Sequence, residues 1–153
     1  MKIALDLKTV TRLIDDEPPH LRERMDEAQA AGADLVMSSL VLHDLAYAAM
    51  ASEQAARRLA QLDMFIAQVE VVAWTSEDAL TAARIRADHD KQHGRPIRLG
   101  ATELLCAAQA LNNDWTVIVD HPSIAAAAKA WPTGLIIPGL GLRTIDWSAP
   151  SGD

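Results

Sequence analysis

Ile3-Ala4-Leu5-Asp6-Leu7 is a short apolar run with an acid near its end, and it frames the reading of the whole chain. A run this short, apolar on both faces, reads as a strand buried in a sheet. Runs of the same kind recur at Asp34-Leu35-Val36-Met37-Ser38, at the β-branched stretch Val69 to Trp74, and at Trp115 to Val119. The segments between them have helical spacing. Thr9 to Asp16 reads as a short helix stopped by Pro18-Pro19, and His20 to Ala31 as a second one ending at Gly32. Ser39 is the expected cap of a helix to about Met50. Ser52 is the expected cap of another to about Gln68, with Leu59, Leu62, Phe65 and Ile66 at helical spacing.

Thr75 or Ser76 opens a long helix to about His93, closed by Gly94 and Pro96, and Ala101 to Asn112 forms another. Ser123 to Ala130 is a further helix stopped by Pro132, and Leu135-Ile136-Ile137 supplies a last edge strand. Short apolar strands alternating with helices predict an α/β fold with a mainly parallel sheet covered on both faces. Sites in such sheets form outside the carboxyl ends of the strands, where this reading puts Asp6 and Asp120.

Four acids stand out by their surroundings. Asp6 closes the first strand and Asp120 the fourth. Asp44 interrupts the apolar helix Leu40-Val41-Leu42-His43-Asp44-Leu45-Ala46, and Glu103 opens Glu103-Leu104-Leu105-Cys106-Ala107-Ala108. Acids in apolar settings are costly to bury unless paired or bound to a metal. Two carboxylates ~4 Å apart repel by about 4 kcal/mol at an effective dielectric near 20, so a cluster needs a counter-charge. Oxygen-only ligands favour Mg²⁺ or Mn²⁺ over Zn²⁺. Taken singly, each acid is also explicable as a helix cap or dipole partner.

The 153 residues suit one domain, expected over residues 1–148 with a short tail at 149–153. Half the residues are hydrophobic, enough for a sizeable core. No apolar run has membrane-spanning length and no signal peptide is read at the start. Cys106 is the single cysteine, which excludes an internal disulfide, fits a cytoplasmic location and reads as a small core residue. The formal charge of −7, from 14 basic and 21 acidic residues, is a poor match to bulk electrostatic binding of nucleic acid. Either nucleic acid is not the substrate, or the excess acid serves a metal site and a basic partner.

The order of the segments resembles the PIN-domain ribonucleases of the VapC toxin type. Ile3-Ala4-Leu5-Asp6-Leu7-Lys8 resembles the family's opening strand, which ends in Leu-Asp-Thr-Asn. Ser38-Ser39-Leu40-Val41-Leu42-His43-Asp44-Leu45-Ala46-Tyr47-Ala48 is similar to Ser-x-Ile-Thr-Leu-x-Glu-Leu-x-Tyr-Gly. Arg84-Ile85-Arg86-Ala87 followed by Gly94-Arg95-Pro96-Ile97 looks like the long family helix and its Gly-x-Pro-Ile exit. Glu103 to Leu111 resembles Asp-x-Leu-Ile-Ala-Ala-x-Ala-Leu, and Trp115 to Asp120 the strand Thr-Leu-Val-Thr-Asn or Asp. There are departures. Leu7 and Lys8 replace the polar Thr-Asn pair, Asp44 stands where Glu is usual, and Glu103 where Asp is usual.

The resemblance implies a three-layer α/β/α sandwich with a mainly parallel sheet of four to five strands. It implies an endoribonuclease toxin of a type II toxin–antitoxin system, hydrolysing phosphodiester bonds of tRNA, rRNA or mRNA. Asp6, Asp44, Glu103 and Asp120 would then be both the Mg²⁺ or Mn²⁺ ligands and the catalytic acids. Lys8, Arg86, Arg95 and Arg98 are the candidates for steering the phosphate backbone. An antitoxin partner with a basic inhibitory tail and a homodimer are implied as well. The apolar faces of Leu40 to Met50 and Leu59 to Ile66 are candidates to line the antitoxin's groove.

The changed residues leave a rival: a PIN fold with a weakened or inactive site that only engages an antitoxin-like protein. A phosphoacceptor signalling domain is disfavoured, since the third strand ends Ala73-Trp74-Thr75 without the receiving Asp. His89 and His93 have chelating spacing, yet their neighbours Asp88, Asp90 and Lys91 read as a solvated helix end. His121 adjoins Asp120 without a motif behind it. No phosphate-cradling glycine loop and no nucleophile elbow occur.

Overall fold

The computed structural model describes residues 1–94, 96, 101–119 and 142–152. The chain opens with β1 (Lys2–Ala4), α1 (Leu7–Asp15) and α2 (His20–Ala30). It continues through β2 (Asp34–Ser38), α3 (Ser39–Met50), α4 (Ala55–Ile66) and β3 (Glu70–Val72). α5 (Ser76–His93), α6 (Ala101–Asn112), β4 (Thr116–Val119) and β5 (Arg143–Asp146) are the remaining elements among the described residues. The five described strands form one sheet in the order β3-β2-β1-β4-β5, and each of their pairings is parallel.

Alternation along the strands explains how the sheet is covered. Ile3 and Leu5, Leu35 and Met37, and Ile118 point into one core with Val10, Leu13, Leu21, Met25, Val41, Leu45, Leu62 and Phe65. Ala4, Val36 and Val117 point the other way, toward Ala110 and Trp115. α1 to α4 therefore cover one face, and the second half of α6 the other. A right-handed crossover rule predicts this split, because the chain steps outward from β1 to β3 and then returns across the sheet to β4. The result is the α/β/α sandwich expected, with all described strands parallel.

Some boundaries differ from the sequence reading, each for a local reason. The first strand stops at Ala4, and Leu7 belongs to α1. Ser38 rather than Ser39 caps α3, its Oγ accepting from Leu40 N at 3.2 Å. Ser39 Oγ instead accepts from Trp74 N at 3.0 Å and ties the exit of β3 to α3. Ser52 forms a local turn by accepting from Gln54 N, and α4 starts at Ala55 without a side-chain cap. Thr75, of the two residues proposed, caps α5 in a reciprocal box with Asp78.

β5 at Arg143–Asp146 was not foreseen; its pattern is mixed and polar, as an edge strand permits. The helix expected at Ser123 to Ala130 and the strand expected at Leu135 to Ile137 lie outside the described residues. Buried Trp147 anchors the chain after β5. His20 Nε2 lies 3.1 Å from the Trp147 carbonyl, and Arg24 donates to the carbonyls of Ala149 and Pro150, fastening this stretch to α2. Among the described residues no helix is long and apolar enough to cross a membrane.

Candidate active site

β1 is the central strand at which the order reverses, with β2 on one side and β4 on the other. Parallel sheets open a crevice at such a switch point, beyond the carboxyl ends of the strands. Asp6 lies there, two residues after β1. It is the N-cap of α1, and its Oδ1 accepts from Thr9 N at 2.8 Å. The cap fixes the carboxylate at the positive end of the helix dipole.

Asp44 is set by α3. Val41, Leu45 and Ala49 recur at intervals of four and bury one stripe of that helix. Asp44 flanks the stripe and keeps 32% of its side chain exposed. His43 Nδ1 lies 2.9 Å from Asp44 Oδ1, and Thr102 Oγ1 donates to Asp44 Oδ2 at 3.2 Å. The second contact joins α3 to the start of α6. Glu103, exposed, follows Thr102 in the first turn of α6. Among the described residues no hydrogen bond or ion pair holds the Glu103 side chain. Asp120, the fourth candidate, lies outside the described residues, as does His121.

Cys106 reports what these acids share. It sits one turn after Glu103 on α6, partly buried against the main core. Burial pushes its thiol up to about 11, and the charges of Asp6, Asp44 and Glu103 all press it upward. A hydrogen bond with Ser38 opposes them. Three carboxylates from α1, α3 and α6 thus act on one sulfur, although 97 residues separate the first from the last. The expected core role of Cys106 holds, with acids for neighbours.

The donor set is oxygen-rich and anionic, which fits a hard divalent cation such as Mg²⁺ or Mn²⁺. Among the described residues no three His, Cys, Asp or Glu side chains close around one point as metal ligands would. Asp6, Asp44 and Glu103 therefore share a neighbourhood without forming a finished cage.

The basic candidates divide. Lys8 is exposed in the first turn of α1, two residues from Asp6 in the chain. Arg86 is exposed on α5, and among the described residues no hydrogen bond or ion pair joins it to the acids. Arg95 and Arg98 lie outside the described residues. His93 is exposed, as expected of a solvated helix end, while His89 keeps only 17% of its side chain exposed; the two rings stack with centroids 4.3 Å apart. Sequence reasoning did not single out Thr102 and His43, which contact Asp44, or Ser38, which bonds with Cys106. A hydroxyl directly before Glu103 in a helix's first turn was the available signal for Thr102.

α1, α3 and α4 leave a cavity of about 280 Å³ between them. Ile14, Leu45, Ala48, Ala49 and Leu62 give it an apolar floor, and Asp15 and Arg58 stand at its side in a 2.6 Å ion pair. Tyr47, Met50 and Met64 are exposed on the same two helices, α3 and α4.

Comparison with known proteins adds to this geometry. Residues 3–129 match the family profile described as PIN domain. A relative from Shigella flexneri, a tRNA(fMet)-specific endonuclease VapC, is 26% identical over 148 residues, covering 97% of this chain and 99% of the relative. A protein of the same name from Salmonella typhimurium strain LT2 is 28% identical over 121 residues, 79% of this chain and 87% of the relative. Among solved structures, DNA-bound VapBC from Salmonella typhimurium superposes with a TM-score of 0.74 at 26% identity, covering 96% of this chain and 98% of that one. VapBC2 from Rickettsia felis, bound to a promoter DNA fragment, gives a TM-score of 0.76 at 20% identity, over 96% and 99%.

Proposed function

This chain belongs to the PIN-domain family, and from that premise we propose that it is a metal-dependent endoribonuclease, the toxin of a type II toxin–antitoxin pair. The observation that carries the reading is the placement of Asp6 beyond β1 at the switch point, together with the Thr102 bond that ties Asp44 of α3 to the first turn of α6, where Glu103 lies. Asp120, following β4 in the chain, is the fourth proposed ligand. When bound, Mg²⁺ or Mn²⁺ would polarise the phosphate and lower the pKa of an attacking water.

The protein's own residues have separate tasks in this reading. Asp6, fixed by the Thr9 amide, supplies an oxygen donor that does not have to be ordered on binding. Asp44, restrained by His43 and Thr102, supplies a second from α3. Glu103 has the longest reach and no hydrogen bond or ion pair among the described residues, so it is the acid proposed to accept the proton of the attacking water. Lys8, with Arg86, Arg95 and Arg98, would hold the RNA backbone. The names of the relatives make a tRNA the first substrate to try.

An antitoxin is the proposed protein partner. The apolar cavity among α1, α3 and α4 suits an inserted side chain, and a net charge of −7 suits a basic inhibitory segment. A homodimer and a cytoplasmic location go with this reading. A second reading, a PIN fold that binds its partner without cleaving RNA, is favoured by the absence of a three-ligand group among the described residues. It is favoured too by exposed Leu7 and Lys8 in place of the polar Thr-Asn pair.

Cleavage of a tRNA pool by the purified protein separates the two. The nuclease reading expects cutting in Mg²⁺ or Mn²⁺, arrest by EDTA, and loss of about two to three orders of magnitude in Asp6→Asn. Asparagine caps a helix as well as aspartate does, so that variant changes charge and spares the fold. Cutting that persists in Asp6→Asn would count against the mechanism, and no cutting of any RNA would favour the binding module.

A further inference from the structure

We infer that Thr102 is a positioning residue of the acidic site, acting through Asp44; this rests on the nuclease reading above. Thr102 Oγ1 donates to Asp44 Oδ2 at 3.2 Å, across 58 residues of sequence. The opposite oxygen, Asp44 Oδ1, is 2.9 Å from His43 Nδ1. The two contacts restrain the carboxylate from both sides, one from its own helix and one from α6. Because Thr102 is the residue before Glu103, the same bond ties Asp44 to the turn of α6 that carries Glu103.

The chemistry gives the bond a purpose. Aspartate reaches one methylene less than glutamate, so a ligand on α3 with this short side chain depends on the helix that faces it. A threonine hydroxyl donates one proton and retains lone pairs, so it holds a carboxylate without adding positive charge that would compete with a cation. Each Asp44 oxygen keeps a lone pair after accepting one bond. Outer partners of metal-ligating carboxylates act in this way, orienting an acid that would otherwise sample several rotamers. Removing the hydroxyl leaves α6 in place through Leu104, Ala108 and Ala110, which are buried, and removes only the restraint on Asp44.

Mn²⁺ binding measured by calorimetry on the full chain, with tRNA cleavage followed in parallel, tests the assignment. Thr102→Val, close in shape but without the hydroxyl, is expected to weaken Mn²⁺ binding about ten- to a hundredfold. Thr102→Ser is expected to restore affinity to within about threefold of the wild type, since the donor returns. In an Asp44→Ala background Thr102→Val should add nothing to the loss, which a purely structural role would not predict. Wild-type affinity in Thr102→Val overturns the assignment while leaving the nuclease reading intact. So does a loss that Thr102→Ser does not rescue. If Thr102→Val fails to fold, Thr102→Ser against Thr102→Ala at matched melting temperature decides the matter, equal affinities overturning it. A wild-type protein that binds no Mn²⁺ and cuts no RNA overturns both proposals together.

Discussion

The two ends of α6 each meet a carboxylate from another helix, and they treat it differently. At the far end is Asp78 of α5, 2% exposed. Its Oδ2 accepts from Thr75 N and Thr75 Oγ1 at 2.9 Å, and its Oδ1 from Asn112 Nδ2 at 2.8 Å. Asn112 passes the network on by accepting from Thr81 Oγ1 at 2.9 Å. At the near end is Asp44 of α3, a third exposed, meeting Thr102 beside the charges of Asp6 and Glu103. Asp78 has its hydrogen bonds and is sealed from water, so its charge serves the fold. The near-end acids stay in reach of solvent, Glu103 being exposed and Asp44 a third exposed. Burial, rather than the presence of an acid or of hydrogen bonds, separates the structural carboxylate Asp78 from the candidate ligand Asp44.

That contrast can be broken by experiment, and the largest effect should fall on chemistry at the near end. Glu103→Gln is expected to lower RNA cleavage by about two to three orders of magnitude, while its melting temperature stays within about 3 °C of wild type. A large drop in melting temperature would mean that Glu103, like Asp78, supports the fold. At the far end the expectation reverses. Asp78→Ala removes the capping box and strands the Thr75 amide and the Asn112 side chain, which together should lower stability by about 2–4 kcal/mol. Denaturant unfolding checks this, and unchanged stability would erase the distinction drawn here.

The smallest effect concerns Cys106, and it depends on pH. Its thiol is raised by burial first and by the three carboxylates after that, to about 11. An unfolded thiol ionises near pH 8.5, so the folded form keeps a proton that the unfolded form has already lost. The contribution of the protonated thiol is complete below about pH 8.5 and declines as pH climbs toward 11. Near neutral pH, alkylation by iodoacetamide should be slow in the native state and fast after denaturation. Rapid native-state alkylation would show that the acids and the burial do not govern this sulfur.

Much of the fold was legible because its signals are local. Leu35, Val36 and Met37 make an apolar run that only a sheet covered on both faces accommodates, and Gly94 ends α5 in a left-handed conformation, φ 62°, as its position promised. The pieces that went unread depend on partners distant in sequence. Ser39, the expected cap of α3, accepts instead from the Trp74 amide at β3's exit, and Ser38 caps the helix. β5 was missed because an edge strand with the polar pattern of Arg143–Asp146 carries no apolar signature and is defined by its pairing with β4. Asp78 went unnoticed as well, although the spacing Thr75-x-x-Asp78 carries a capping box's signature.

The sequence by itself determined the alternation of strands and helices and the four acids in unusual surroundings, since hydrophobic period and chain order are properties of neighbours along the chain. Tertiary structure alone decided that Asp6, Asp44 and Glu103 act on one thiol, that Thr102 grips Asp44, and that Asp78 belongs to the fold instead of the site. The reason is physical: a carboxylate's task follows from the donors and charges within a few ångströms of it, and the parallel crossovers bring those from helices far apart in the chain.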